Sequence, residues 1–175
     1  RQIAILPTGN VEQILAMKPD LILVASYNRA ETIELLKTTG VPVFRLANFD
    51  SLADIKNNIR TIGYLIGEEQ RAVSLLAQME RDLKEIRARL PQDRKPPRVL
   101  SYSIDNYTAG AHTTFDDMLN WVKAINVATE QGIEQYAQIN EEQILAWQPD
   151  VIVTPAAQTE FTQIRQQLLD KPAIA

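Results

Sequence analysis

The chain has 175 residues, 45% of them hydrophobic and 23% charged, a globular composition that allows one ordinary domain or two small lobes and excludes a disordered polymer. It has no Cys, which excludes disulfides, thiolate metal ligands and thiol nucleophiles, and no apolar run near the roughly 20 residues of a membrane-spanning helix. A net charge of −4 argues against a nucleic-acid surface, and only 6 glycines leave little material for phosphate-cradling loops.

In chain order, residues 11–24 read VEQILAMKPDLILV. Glu12 to Ala16 predicts a short helix, which Pro19 ends because proline disfavours helix at the residue before it. Asp20 opens a turn into Leu21–Val24, a continuous apolar run that suits a strand of a parallel sheet buried on both faces. A helix near 31–38 follows, with Gly40 as a left-handed cap, then a strand from Val41 to Leu46. Ser51 and Asp54 make a capping box. The helix after it carries an apolar stripe of Leu52, Ile55, Ile59, Ile62 and Ile66, and Gly67 stops it.

A long helix is predicted over 68–90, roughly 35 Å at 1.5 Å per residue. Ala72, Leu76, Met79, Leu83, Ile86 and Leu90 form its stripe. Pro91 to Pro97 is the strongest linker in the chain. Beyond it come a strand over 98–103, a loop over 104–113, and a helix opened by a capping box of Thr114 and Asp117. Residues 141–154 read EEQILAWQPDVIVT, identical to 11–24 at eight of fourteen positions and offset by 130. This repeat predicts two related halves. The fold class expected is α/β, two Rossmann-like lobes with mostly parallel sheets joined by one long α-helix: an N-terminal lobe over 1–67, the helix over 68–90 and a C-terminal lobe over 91–175.

Hydrolase elbows, P-loops, zinc-protease motifs and dinucleotide fingerprints are all absent. The single histidine, His112, cannot build a His-rich metal site. The carboxylate pairs Glu68-Glu69, Asp116-Asp117 and Glu141-Glu142 each fall in the first turn of a predicted helix, where the helix dipole favours negative charge. No catalytic residue, metal site or cofactor is expected. In an open α/β sheet, ligands sit beyond the carboxyl ends of the strands. That picks out the loops 25–30, 45–50, 102–113 and 154–159. Tyr27 and Asn28, Arg45 and Asn48, and Tyr102, Tyr107 and His112 are the candidate ligand-binding residues. Tyr supplies a broad apolar face with a polar tip, and Arg45 suits an anionic ligand. Glu31 and Glu160 stand at equivalent places in the two halves, as helix-opening acids or as matched charges for a two-fold partner.

The helix–Lys/Gln-x-Pro-Asp–strand unit and the long helix belong to a wider pattern. It continues through Tyr107-Thr108-Ala109-Gly110, Thr114-Phe115-Asp116-Asp117, Ile125-Asn126-Val127-Ala128, Tyr136 and Ile139-Asn140-Glu141-Glu142. Together these resemble the substrate-binding proteins of iron-siderophore and vitamin B12 ABC importers over essentially the whole chain. The resemblance implies a central fragment of such a protein, since the family has a strand–helix segment before this start and a strand and helices after this end. It also implies a ligand between the lobes, with Tyr27, Arg45 and Tyr107 at the best-matched pocket positions. Glu31 and, more loosely, Glu160 match the acids that engage permease arginines. Lys123-Ala124-Ile125 departs from the family's Gly-Gly at that place.

The function so implied is non-enzymatic capture of a metal-chelate nutrient, an iron(III) siderophore foremost, for delivery to the transmembrane permease of an ABC importer. The protein is expected to be a monomer without nucleic-acid partners, periplasmic or tethered outside the cytoplasmic membrane. Cobalamin or heme is the alternative ligand, heme drawing on Tyr27, Tyr107 or His112 as axial ligand. From other classes, the rivals are an α/β enzyme with catalytic parts outside this stretch and a scaffold dimerising through helix 68–90.

Overall fold

The computed structural model describes residues 10–91, 93–103 and 105–154. The chain divides into two compact units, one up to Asn48 and one from Phe49. The first holds α1 (Val11–Ala16), β1 (Ile22–Ala25), α2 (Ala30–Lys37) and β2 (Val43–Leu46). Asn10 opens α1, its Oδ1 accepting from the Gln13 amide at 2.8 Å. The chain then leaves the helix through Lys18, at φ +50° directly before Pro19. Proline bars the right-handed helical conformation at the preceding residue, and here the backbone turns into the left-handed region. β1 and β2 pair in parallel, Ile22 opposite Val43 and Val24 opposite Arg45. Ile22 and Val24 pack on Ile33 and Leu36, with Val11, Ile14, Val41 and Val43 around them. Burying each of Ile22, Val24, Ile33 and Leu36 contributes about 2 kcal/mol, the main force holding so small a unit together.

The second unit opens with α3 (Leu52–Ile66) and α4 (Glu69–Ala88). Both helices belong to the second unit. Gly67 does end α3, at φ +71°. Ser51 caps α3, its Oγ accepting from the Asp54 amide at 3.1 Å, and Asp54 Oδ2 accepts from the Ser51 hydroxyl and the Asp50 amide. Lys56 and Glu80 join α3 to α4 at 3.4 Å. α4 buries Ala72 and Leu76, but its predicted stripe fades toward the C-terminal end, where Ile86 is exposed.

The remaining elements are β3 (Arg98–Ser101), β4 (Tyr107–Ala109), α5 (Thr114–Trp121), β5 (Ile125–Asn126), α6 (Val127–Glu130), β6 (Tyr136–Gln138), α7 (Glu141–Trp147) and β7 (Val151–Val153). β3 lies between β5 and β7, parallel to both. β4 pairs antiparallel with β6 as a separate two-stranded ribbon. The predicted 104–113 loop thus contains a strand, too short to show a period and paired with residues about thirty positions on. The α5 cap also differs from expectation. Thr113 caps the helix, its Oγ1 accepting from the Asp116 amide at 3.2 Å. The expected pair is used elsewhere: Thr114 Oγ1 donates to the Phe49 carbonyl, and Asp117 Oδ2 accepts from the Leu52 amide at 2.8 Å, at the start of α3. The Arg87 guanidinium lies 5.6 Å from the Trp121 ring centre.

The core of this unit is Leu100, Tyr102, Val127, Ala128, Ile139 and Ile144, flanked by Ile133, Trp147 and Ile152. Arg98 stitches its margin. It pairs with Glu130 at 3.0 Å and donates through Nη1 to the Trp147 and Gln148 carbonyls, where a cation offsets the negative end of α7. Thr108 is 1% exposed, and its Oγ1 has no hydrogen-bond partner among the described residues. Thr108→Val keeps the shape and removes the stranded hydroxyl, so it should raise unfolding stability by about 1 kcal/mol in urea titrations. A loss of stability would show that the hydroxyl is satisfied.

Candidate functional site

In the first unit the candidate residues gather at the carboxyl ends of β1 and β2. Tyr27 and Asn28 form the turn after β1, and Tyr27 is 77% exposed. Asn28 fastens this turn at both ends. Its Oδ1 accepts from the Ala25 amide at 2.7 Å, and its own amide donates to the Ala25 carbonyl at 3.1 Å. Asn28 therefore shapes the turn that presents Tyr27. Arg45, exposed near the end of β2, reaches across the pair and donates from Nη2 to the Ser26 carbonyl at 3.3 Å. Asn48 is exposed just beyond β2. Glu31 is exposed in the first turn of α2, while Glu160 and most of the 154–159 loop lie outside the described residues.

In the second unit the structure separates the three candidates. Tyr102 has no exposed surface, and its hydroxyl donates to Asn106 Oδ1 at 2.6 Å. It forms the floor of a groove of about 410 Å³ lined also by Asn106, Ile139, Asn140, Glu141 and Glu142. Tyr107 is on the β4–β6 ribbon and 44% exposed. Pairing places Ala109 opposite Tyr136 and Tyr107 opposite Gln138, so Tyr107 and Tyr136 are diagonal neighbours on one face. Such neighbours stand about 7–8 Å apart, within reach for aromatic rings. Tyr136 is 63% exposed and was not among the expected site residues. Only its place in the ribbon brings it beside Tyr107.

His112 follows β4 as an exposed residue at φ +59°. The corner that holds it is unusually constrained. A Cβ added to Gly110 would fall 2.1 Å from the Ile133 carbonyl oxygen, so only glycine fits there. The Gly110 amide donates to the Gln135 carbonyl at 2.7 Å, Ala111 donates to Ile133 at 2.9 Å, and the Gln135 amide donates back to Ala111 at 2.9 Å.

Behind the ribbon lies a polar hub. Asn126 is 5% exposed, and its Nδ2 donates to the Ala109 carbonyl and to Asp116 Oδ1, each at 3.0 Å. Its Oδ1 accepts from the Ala128 amide at 3.1 Å, and Asp116 also accepts from Thr129 Oγ1 at 2.7 Å. The acid of the Asp116-Asp117 pair nearer the ribbon is thus a structural acceptor. Among the described residues, no three of His, Cys, Asp and Glu gather so as to hold a metal ion, and no helix is long and apolar enough to cross a membrane.

A model of the periplasmic binding proteins matches residues 7–175. The chain belongs to that family. An uncharacterised ABC transporter substrate-binding lipoprotein of Bacillus subtilis is 32% identical over 153 residues, covering 83% of this chain and 48% of the relative. A cobalamin-binding protein of Halobacterium salinarum is 31% identical over 147 residues, covering 83% and 40%. The chain thus spans about half, or less, of the length of these relatives. Among solved structures, the periplasmic heme-binding protein RhuT of Roseiflexus sp. RS-1 superposes with a TM-score of 0.78 at 28% identity, covering 93% of this chain and 64% of that one.

The hub has a measurable consequence. Asn126→Ala strands the Ala109 carbonyl and the Ala128 amide together, and should cost about 2 kcal/mol in chemical denaturation. Asn126→Asp keeps the acceptor but sets a second carboxylate against Asp116. It should cost at least as much at neutral pH.

Proposed function

We propose that the protein is the solute-binding component of an ABC importer, placed outside the cytoplasmic membrane, capturing a metal-chelate nutrient and passing it to a permease without chemical change. The observation that carries this reading is the pair of exposed phenols, Tyr107 and Tyr136, on one face of a ribbon whose backbone is held from behind by Asn126. Phenols on a rigid element suit a large ligand with both flat apolar and polar surface, because they lose little side-chain freedom on binding. Tyr27 plays the same part in the first unit, on a turn pinned by Asn28. Family membership and the substrate-binding relatives support the reading.

An iron(III) siderophore is the ligand class that Arg45 favours, since a guanidinium beside an exposed phenol suits an anionic, oxygen-rich chelate. A second reading, cobalamin, is favoured by the groove in the second unit. Its two lining carboxylates, Glu141 and Glu142, suit the amide groups that fringe that cofactor. The cobalamin-binding relative points the same way. Glu31 is proposed as one of two docking acids for the permease, with Glu160 as the other; a monomer suffices for both roles.

The test is a tryptophan-fluorescence titration of the full-length protein with ferric hydroxamate, catecholate and citrate chelates, cobalamin and heme. Trp121 and Trp147 are the reporters within this stretch. One ligand class should give saturable quenching at micromolar or tighter affinity. Tyr107→Ala should weaken that affinity about tenfold, the usual effect of truncating a well-placed aromatic anchor. Arg45→Ala should weaken ferric chelates and spare cobalamin. Absence of binding to the whole panel would overturn the proposal.

A further inference from the structure

The groove in the second unit is lined by two asparagines and two glutamates around Tyr102 and Ile139. Both asparagine oxygens are engaged within the protein. Asn106 Oδ1 accepts from the hydroxyl of Tyr102, the buried floor residue, at 2.6 Å. Asn140 Oδ1 accepts from the Gln143 amide at 2.8 Å, and Gln143 Oε1 accepts in return from the Asn140 amide at 2.9 Å. Fixing the oxygen of a planar carboxamide fixes its nitrogen too, and that nitrogen carries two N–H donors. What either asparagine offers to the groove is therefore a donor. The Asn106 backbone is held as well, at φ +64°, its amide donating to the Ser103 carbonyl at 3.0 Å and its carbonyl accepting from the Ile139 amide at 2.9 Å. The Glu141 and Glu142 carboxylates accept and do not donate.

Positive charge is scarce around this lining. Between residues 99 and 154 the sequence has eight Asp and Glu but a single Lys or Arg, Lys123. Lys123 stands just before β5, at the amino end of the parallel sheet, whereas Tyr102 follows β3, at its carboxyl end.

We propose that this groove selects a primary carboxamide over a carboxylate: the ligand's amide oxygen accepts from Asn106 and Asn140, and its amide nitrogen donates to Glu141 and Glu142. A carboxylate in the same place keeps the first contacts and loses the second. It also sets a third negative charge beside two, with no cation in the lining to offset it. An ammonium group satisfies the glutamates but meets the asparagine donors with donors of its own. The inference rests on the cobalamin reading of the groove and adds to it the basis of selection.

The test compares cobalamin with the three monocarboxylic acids made by mild hydrolysis of its propionamide groups, each differing from it by one amide. Affinities are read by tryptophan fluorescence in the full-length protein at neutral pH. At least one acid should bind about tenfold or more weakly than cobalamin, because it leaves the glutamates unpaired and repelled. In the Glu141→Gln, Glu142→Gln double variant that ratio should fall below about threefold, since the like charges are gone. Asn106→Asp tolerates the left-handed backbone and still accepts from Tyr102, so the fold is kept, but it replaces the donor by an acceptor. It should weaken cobalamin about tenfold.

Equal binding of all three acids and cobalamin, a ratio unmoved in the double variant, or cobalamin affinity unchanged in Asn106→Asp would each overturn the selection rule and leave the cobalamin reading standing. Failure of the wild type to bind cobalamin overturns that reading, and the selection rule with it.

Discussion

The second unit depends on one buried amide. Asn126 is the last residue of a two-residue strand and the cap of the helix that follows it. Its side chain can satisfy three groups at once because an amide carries two donors and an acceptor with two lone pairs. It uses them on the Ala109 carbonyl, the Asp116 carboxylate and the Ala128 amide. Those three groups lie on β4, α5 and α6. No aliphatic side chain could join them, and an unpaired amide in that position would be costly, so the residue is committed to one geometry.

What that geometry secures is a rigid ribbon outside the main sheet. Among the described residues β4 and β6 have only each other as strand partners, and an isolated two-stranded ribbon is marginal in water. Here the Asn126 amide grips it at Ala109, Ser101 Oγ accepts from the Ala109 amide at 3.0 Å, and the close approach of Gly110 to Ile133 locks its far corner. The exposed face of a ribbon held in this way can present Tyr107 and Tyr136 without further ordering. A preformed surface loses less entropy on capturing a ligand than a mobile one. Under the proposed function the polar hub is therefore as relevant to capture as the phenols.

The repeat illustrates how far local chemistry alone can carry structure. α1 and α7 are each opened by an asparagine, Asn10 and Asn140, whose Oδ1 accepts from an amide three residues on at 2.8 Å. Both copies leave their helix through a left-handed residue before proline, Lys18 at +50° and Gln148 at +48°. Each then enters a strand of a parallel sheet. Identical short-range rules act on similar residues 130 positions apart and produce the same turn twice. The long-range partners then differ, β1 pairing with β2 and β7 with β3, because those depend on what else the chain brings nearby.

The sequence by itself determined whatever is decided within a few residues. The helices, the Gly67 stop, the Pro-Asp turns and the parallel strands follow from periodicity, capping and proline sterics, but the expected burial of these strands on both faces does not hold, since Leu23 of β1 and Val151 and Val153 of β7 are exposed. The α/β class follows from their alternation, and the placing of Tyr27 and Arg45 at strand ends follows from that class. Tertiary structure decided what depends on partners far along the chain. β4 is three residues long and becomes a strand only because β6 lies opposite; Tyr136 becomes a site candidate only through that pairing. Tyr102 looked like a loop contact and is a buried floor residue, since its burial is set by Val127, Ile139 and Ile144 rather than by its neighbours in sequence. Asp117 looked like a cap for its own helix and serves α3 instead, 65 residues away. Capping and periodicity act over one turn and can be read from the chain, whereas a hydrogen bond between distant residues exists only once the core has brought them together.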